Sequence, residues 1–371
     1  MRWVSGAVLL LAASLAAAAD AAPPDSVQSA SAPPALAPTK TWFAPSQPLN
    51  IQVKPGGPAS LVLTDFRGRV LDARQSTDVA GDSTVNLNDY FVALQTANTY
   101  LLYLVKKQPT PEELAEQKAS VEAIAAARAA ALVKDRTPAD FIGTPLVISV
   151  REDRRRGAPP GPMVVRVEPL SYAVMQTAHG PVMMGFYYDI APHTVENFLD
   201  LARQGFYDGL TFHRISPNFV IQGGDPRGDG TGGPGYMIDA EFSDAKDSGR
   251  VHDAGSLSMA RTGDPGEAPG VMPRPEFANS GGSQFFICLN YENTRTLDGR
   301  YTLFGKVTGG MEAVNKIAQA PLADDRSEKP REPQVIQRVQ VMPVTKEHNP
   351  YAQLMKAREA AAELRPAQPA K

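Results

Sequence analysis

The sequence predicts a mainly β protein, with a sandwich-like region followed by a closed barrel that carries helical plugs. Three observations point there. Apolar residues alternate in the period-2 manner of strands through residues 41–108 and again from residue 146 onward. Thirty-three prolines and thirty glycines punctuate those runs, as the turns between many short strands require. After residue 172, one helical pattern near 192–202 and a second near 311–318 stand among glycine-separated strand patterns.

Composition narrows the function classes. With 43% hydrophobic and 21% charged residues, the chain is globular material rather than a disordered tail. A net charge of −3 supplies no electrostatic reason to expect nucleic acid as a partner. The single cysteine, Cys288, excludes an internal disulfide and any zinc site built on two thiolates. Its apolar setting, Phe285-Phe286-Ile287-Cys288-Leu289, predicts a buried core residue. The five histidines show no HExxH pair or other close ligand spacing.

The elements follow in order. Residues 1–22 read as an export signal: Arg2, an apolar stretch from Val4 to Ala19, then small residues at Ala18, Ala19, Ala21 and Ala22. Cleavage would leave a periplasmic or secreted protein; an uncleaved signal would anchor it in the inner membrane, the only membrane contact expected. Residues 23–40, rich in Ala, Pro and Ser, read as a linker. Residues 41–170 form the sandwich-like domain, with strand pairs such as Ile51/Val53 and Leu61/Leu63 and the run Tyr100–Val105. An Ala/Glu/Lys-rich helix interrupts it at about 111–135. No catalytic set falls in this domain, and Arg151–Arg156 reads as a solvated turn. Residues 171–344 carry the barrel, and 345–371 a helical or flexible tail. Within the barrel, Pro192–Ala202 places Val195, Phe198, Leu199 and Ala202 on one helical face, with Thr194 as its expected cap.

Several motifs then appear in a fixed order: Phe212-His213-Arg214-Ile215, Phe219–Asp225 containing Gln222-Gly223-Gly224-Asp225, Leu257-Ser258-Met259-Ala260, Ser283-Gln284-Phe285-Phe286-Ile287, Leu297-Asp298-Gly299 and Leu303–Val307. Over about 172–343, a little under half of the chain, this series resembles the cyclophilin family of peptidyl-prolyl cis-trans isomerases. The resemblance implies an eight-stranded antiparallel barrel capped by two helices. It also implies rotation about Xaa–Pro bonds of proline-containing polypeptide clients, without cofactor or metal.

That chemistry has definite requirements. Amide resonance raises a barrier of about 18–20 kcal/mol. A twisted amide regains a lone pair on the prolyl nitrogen, so a fixed cationic donor aimed there binds the transition state better than the planar ground state. An apolar pocket must hold the ring and keep water away. The resemblance assigns Arg214 and Gln222 as catalytic. It assigns Phe219, Val220, Ala260, Arg261, Thr262, Gln284, Phe286, Leu297 and Tyr301 to substrate binding, with Ala260, Arg261 and Thr262 offering main-chain hydrogen bonds. On a regular strand Arg214 would share a face with Phe212, opposite His213 and Ile215.

Departures from the family pattern carry expectations too. Val220 stands where methionine is usual, Arg261 for asparagine, Tyr301 for histidine and Thr296 for the rim tryptophan. The missing indole predicts weak binding of the cyclic immunosuppressant that many cyclophilins bind. Gly263–Gly282, with four prolines, is longer than the family's loop and borders the pocket for the residue two before proline, so it is expected to influence substrate choice. Gly228–Gly233 satisfies G-x-G-x-x-G, but Pro234-Gly235 follows it instead of a helix, so no nucleotide is expected. The competing reading is a non-catalytic cyclophilin-like chaperone or scaffold that binds proline-containing segments.

Overall fold

A computed structural model describes residues 34–44, 47–107, 141–151, 164–243, 248–268, 271–324, 327–352 and 354. The signal, residues 23–33 of the linker, nearly all of the helix expected at 111–135, residues 152–156 of the arginine-rich turn and most of the tail lie outside them. Among the described residues the strands group into two sheets and a closed eight-stranded barrel.

The first sheet joins β1 (Leu36–Pro38), β3 (Asn50–Val53) and β6 (Ser83–Asn86) in the order β1-β3-β6. The second contains β2 (Trp42–Phe43), β4 (Ala59–Asp65), β5 (Asp78–Val79), β7 (Asn98–Lys106), β8 (Leu146–Arg151) and β9 (Val164–Pro169), in the order β2-β9-β8-β7-β4-β5. Strand β1 corrects the expected linker: Leu36 pairs with Val53 and is buried, so the last residues before 40 already belong to a sheet.

Strand β7 shows why its sequence is apolar without alternation. Tyr100, Leu102 and Leu104 pack with Ile51, Val53 and Ile148 between the two sheets. Their neighbours Leu101 and Tyr103 face the other way and join Val147, Tyr172 and Tyr188 in the barrel-side core. A strand covered on both faces needs apolar side chains at every position. The sandwich region and the barrel therefore share one hydrophobic core.

The barrel runs β10 (Ser171–Thr177), β11 (Gly180–Phe186), β16 (Leu303–Gly309), β14 (Ser256–Met259), β15 (Phe285–Cys288), β13 (Val220–Gly223), β12 (Thr211–Ser216), β17 (Gln334–Pro343) and back to β10. Every pairing is antiparallel. Two helices, α1 (Pro192–Arg203) and α2 (Met311–Ala318), bury Val195, Phe198 and Leu199, and Val314 and Ile317, against the barrel. Proline fits the first turn of α1, where its missing N–H costs nothing.

The cap of α1 departs from expectation. Thr194 lies inside the helix, and Glu241 caps from a distant loop: it accepts from the His193 amide at 3.1 Å and the Thr194 amide and hydroxyl at 2.8 Å each. A carboxylate there also complements the positive end of the helix dipole. Arg151 is half-buried rather than solvated and pairs with Glu196 of α1. The tail begins docked. The Tyr351 hydroxyl donates to the Ser171 carbonyl at 2.7 Å and accepts from the Phe186 amide at 3.1 Å, while its ring meets Phe66 edge-on.

Candidate active site

Strands β12, β13 and β15 alternate between the barrel interior and its outer face. Ile215, Ile221, Phe285 and Ile287 point into the core. Val220, Phe286 and Cys288 form a separate outer cluster with Leu297, against which Phe219, Ala260 and Tyr301 pack. The period of two thus builds a core and a pocket from the same strands.

Arg214 reaches the outer face through a bulge. The β12–β13 register slips between Phe212 and Arg214, so Phe212 opposes Gly223 while Arg214 opposes Gln222. The expectation that Arg214 shares a face with Phe212 is corrected: Phe212 and Ile215 both lie in the core, and Arg214 lines the pocket. An extra residue in one strand shifts the phase of all that follow, which strict alternation cannot anticipate. His213, the residue at the slip, is buried, and burial lowers its pKa.

The resulting cavity, of about 200 Å³, is lined by Arg214, Phe219, Val220, Gln222, Ala260, Arg261, Phe286, Leu297 and Tyr301. Nine sequence-predicted residues thus meet at one place. Phe286 and Tyr301 meet edge to face at 5.6 Å. Gln284 stands behind, and Thr262 falls outside the lining, its amide donating to the Ser280 hydroxyl at 2.8 Å. The Ala260 amide is engaged with the Gln284 carbonyl at 2.9 Å.

A chain of polar contacts fixes the arginine. Its Nη1 donates to Gln222 Oε1 at 3.2 Å, and Gln222 Nε2 donates to Gln284 Oε1 at 2.9 Å. Gln284 Nε2 in turn donates to the carbonyls of Gly230 and Gly232, at 3.0 and 2.8 Å. The glycine-rich loop set aside as a false nucleotide motif is therefore the far support of this chain. Its amides wrap the buried Asp225, which accepts from Arg227, Asp229 and Gly230. Burial pushes the Asp225 carboxyl up, and those amide donations more than offset it, leaving the pKa below the usual carboxylate value. Gly224 holds the loop's approach: its φ is 84°, and a Cβ would strike the Ser283 carbonyl.

Supporting residues that the sequence did not reveal complete the site. Glu328 takes the other edge of Arg214, accepting from Nε at 2.6 Å and Nη2 at 3.3 Å. Burial raises its pKa, and the Arg214 hydrogen bond leads the contacts that bring it below the ordinary value. His252 stacks on Phe286 and is itself held by Asp298 at 2.8 Å and Ser258 at 3.0 Å. Glu267, from the 263–282 insertion, bridges Arg261 at 2.8 Å and Arg300 at 2.6 Å. Arg261 in turn lies over the Tyr301 ring at 4.2 Å. Cys288 is buried as expected, and burial raises its thiol pKa well above the ordinary value.

The arrangement sets an oriented cation beside Phe219, Phe286, Leu297 and Tyr301 in one cavity. Among the described residues no cluster of three or more potential metal ligands occurs. A family model described as cyclophilin type peptidyl-prolyl cis-trans isomerase/CLD matches residues 172–341. A peptidyl-prolyl cis-trans isomerase of Synechococcus elongatus is 45% identical over 137 residues, 37% of this chain and 80% of the relative. Isomerase B of Bacillus subtilis is 49% identical over 132 residues, 36% of this chain and 79% of the relative. An isomerase of Helicobacter pylori is 39% identical over 156 residues, covering 42% and 84%. The chain belongs to the cyclophilin family of peptidyl-prolyl cis-trans isomerases. It is an isomerase acting on proline-containing substrates.

Proposed function

We propose that Arg214 drives the reaction by donating to the prolyl nitrogen, and that the protein assists folding of exported polypeptides. One observation carries the first part: the Arg214 guanidinium, held by Gln222 and Glu328, lines the same cavity as Phe219, Phe286, Leu297 and Tyr301. The apolar walls accept the proline ring. The guanidinium, always charged and planar, is aimed before substrate arrives. As the amide twists, resonance is lost and the nitrogen lone pair appears, and the donation strengthens only then. A substrate that fills the cavity displaces the solvent that stabilises the planar, polar amide.

Arg214→Lys tests the geometry. Lysine keeps the charge but cannot hold Gln222 and Glu328 with one planar fork. A large loss of kcat with little change in KM is expected, whereas full activity would mean that charge alone suffices. The export role rests on the Arg2-to-Ala22 pattern, and the N-terminal sequence of the mature protein checks it. A start just after Ala22 in a periplasmic or secreted fraction supports export; an intact Met1 in the cytoplasm contradicts it.

A further inference from the structure

We propose that Glu328 is a positioning residue for isomerisation, fixing which Arg214 N–H groups face the substrate; the proposal rests on Arg214 as the donor. A guanidinium has five N–H groups. The Nε–H and one Nη2–H go to the two Glu328 oxygens, and one Nη1–H goes to Gln222. Three of five are engaged, so one N–H on each terminal nitrogen remains for substrate. Without Glu328, the 3.2 Å contact to Gln222 would be the one hydrogen bond left, among the described residues, to restrain the plane.

The backbone that carries the carboxylate is itself held. The Ile215 amide, next to Arg214, donates to the Glu328 carbonyl at 2.6 Å, tying the loop backbone to β12. The same loop closes on itself through the Leu322–Pro330 bridge and the Ala323 amide to the Lys329 carbonyl at 2.9 Å. Donor and positioner are 114 residues apart in sequence yet share one short stretch of backbone pairing. Bidentate pairing supplies direction as well as attraction, which a single contact does not.

The full chain is assayed on an Xaa–Pro peptide as wild type, Glu328→Gln, Glu328→Asp, Arg214→Ala and the double variant Arg214→Ala/Glu328→Gln. Glu328→Gln keeps the shape but breaks the paired acceptor; kcat is expected to fall about tenfold or more with KM nearly unchanged. Glu328→Asp recovers part of the loss. The double variant is no slower than Arg214→Ala, because Glu328 acts through the arginine. An active Glu328→Gln beside an impaired Arg214→Ala overturns this proposal and leaves the arginine mechanism standing. A fully active Arg214→Ala overturns the mechanism itself. A rise in kcat for Glu328→Gln also overturns the proposal, since the carboxylate would then be restraining the cation.

Discussion

Arg166 of β9 pairs with Glu196 of α1 at 3.1 Å, so an ion pair passes from the sandwich region to a barrel helix. Arg166 also meets Glu168 at 3.0 Å and lies beneath the Trp42 ring at 5.3 Å. Its removal leaves two buried carboxylates together. Arg166→Ala is therefore expected to cost about 3–5 kcal/mol, read as a fall in thermal midpoint. Burial already holds the Glu168 pKa above the ordinary carboxylate value. A raised acid favours its protonated form in the folded state, so ionised Glu168 costs stability at neutral pH. The deficit of Arg166→Ala should shrink as pH falls toward the ordinary carboxylate pKa. A deficit independent of pH would contradict this.

Much of the barrel was legible because its motifs are local. Arg214, Gln222 and Phe286 sit in short strands and Gln284 directly precedes one, and β-pairing brings those strands side by side. What was not legible depends on distance or on phase. Glu328, Glu267 and His252 act through contacts between segments that no spacing marks. The bulge at His213 inverted the expected face of Phe212 because one inserted residue is invisible to a period-2 count. The fusion of sandwich and barrel was hidden likewise: the apolar run Tyr100–Val105 marks burial but does not say which element covers each face.

Asp225 supports the amide chain from behind. Its folded pKa lies below the ordinary carboxylate value, because amide donations outweigh burial. Its contribution is therefore complete above the unfolded pKa of about 3.9 and is lost as pH falls through the lower folded value. Asp225→Asn removes a charged acceptor from three amides. We expect reduced kcat/KM near neutral pH and a shallower loss of folded protein in acid than in wild type. An unchanged acid unfolding profile would count against this role.

Glu267 ties the insertion to Arg261 of the pocket wall. It links two guanidinium groups, Arg261 and Arg300, whose side chains are 3% and 15% exposed. Glu267→Ala would leave them facing each other without a counter-charge, at a cost of order 2 kcal/mol. Because Arg261 backs Tyr301, KM for proline peptides should rise more than kcat falls. An unchanged KM would mean that the insertion does not shape the pocket.

The rim position Thr296 is exposed and carries no indole. The cyclic immunosuppressant that many cyclophilins bind should therefore bind this protein weakly, as measured by calorimetry. Thr296→Trp should tighten it. A sub-micromolar dissociation constant for the unaltered protein would contradict the expectation.

The most direct test is the isomerisation rate of an Xaa–Pro peptide with the purified protein beside Arg214→Ala. Loss of one aimed donor to a transition state costs about 10²–10³ in kcat. The account predicts a fall of that order while the peptide still binds and the barrel remains folded. Retention of the wild-type rate by Arg214→Ala would contradict donation by Arg214 as the source of catalysis.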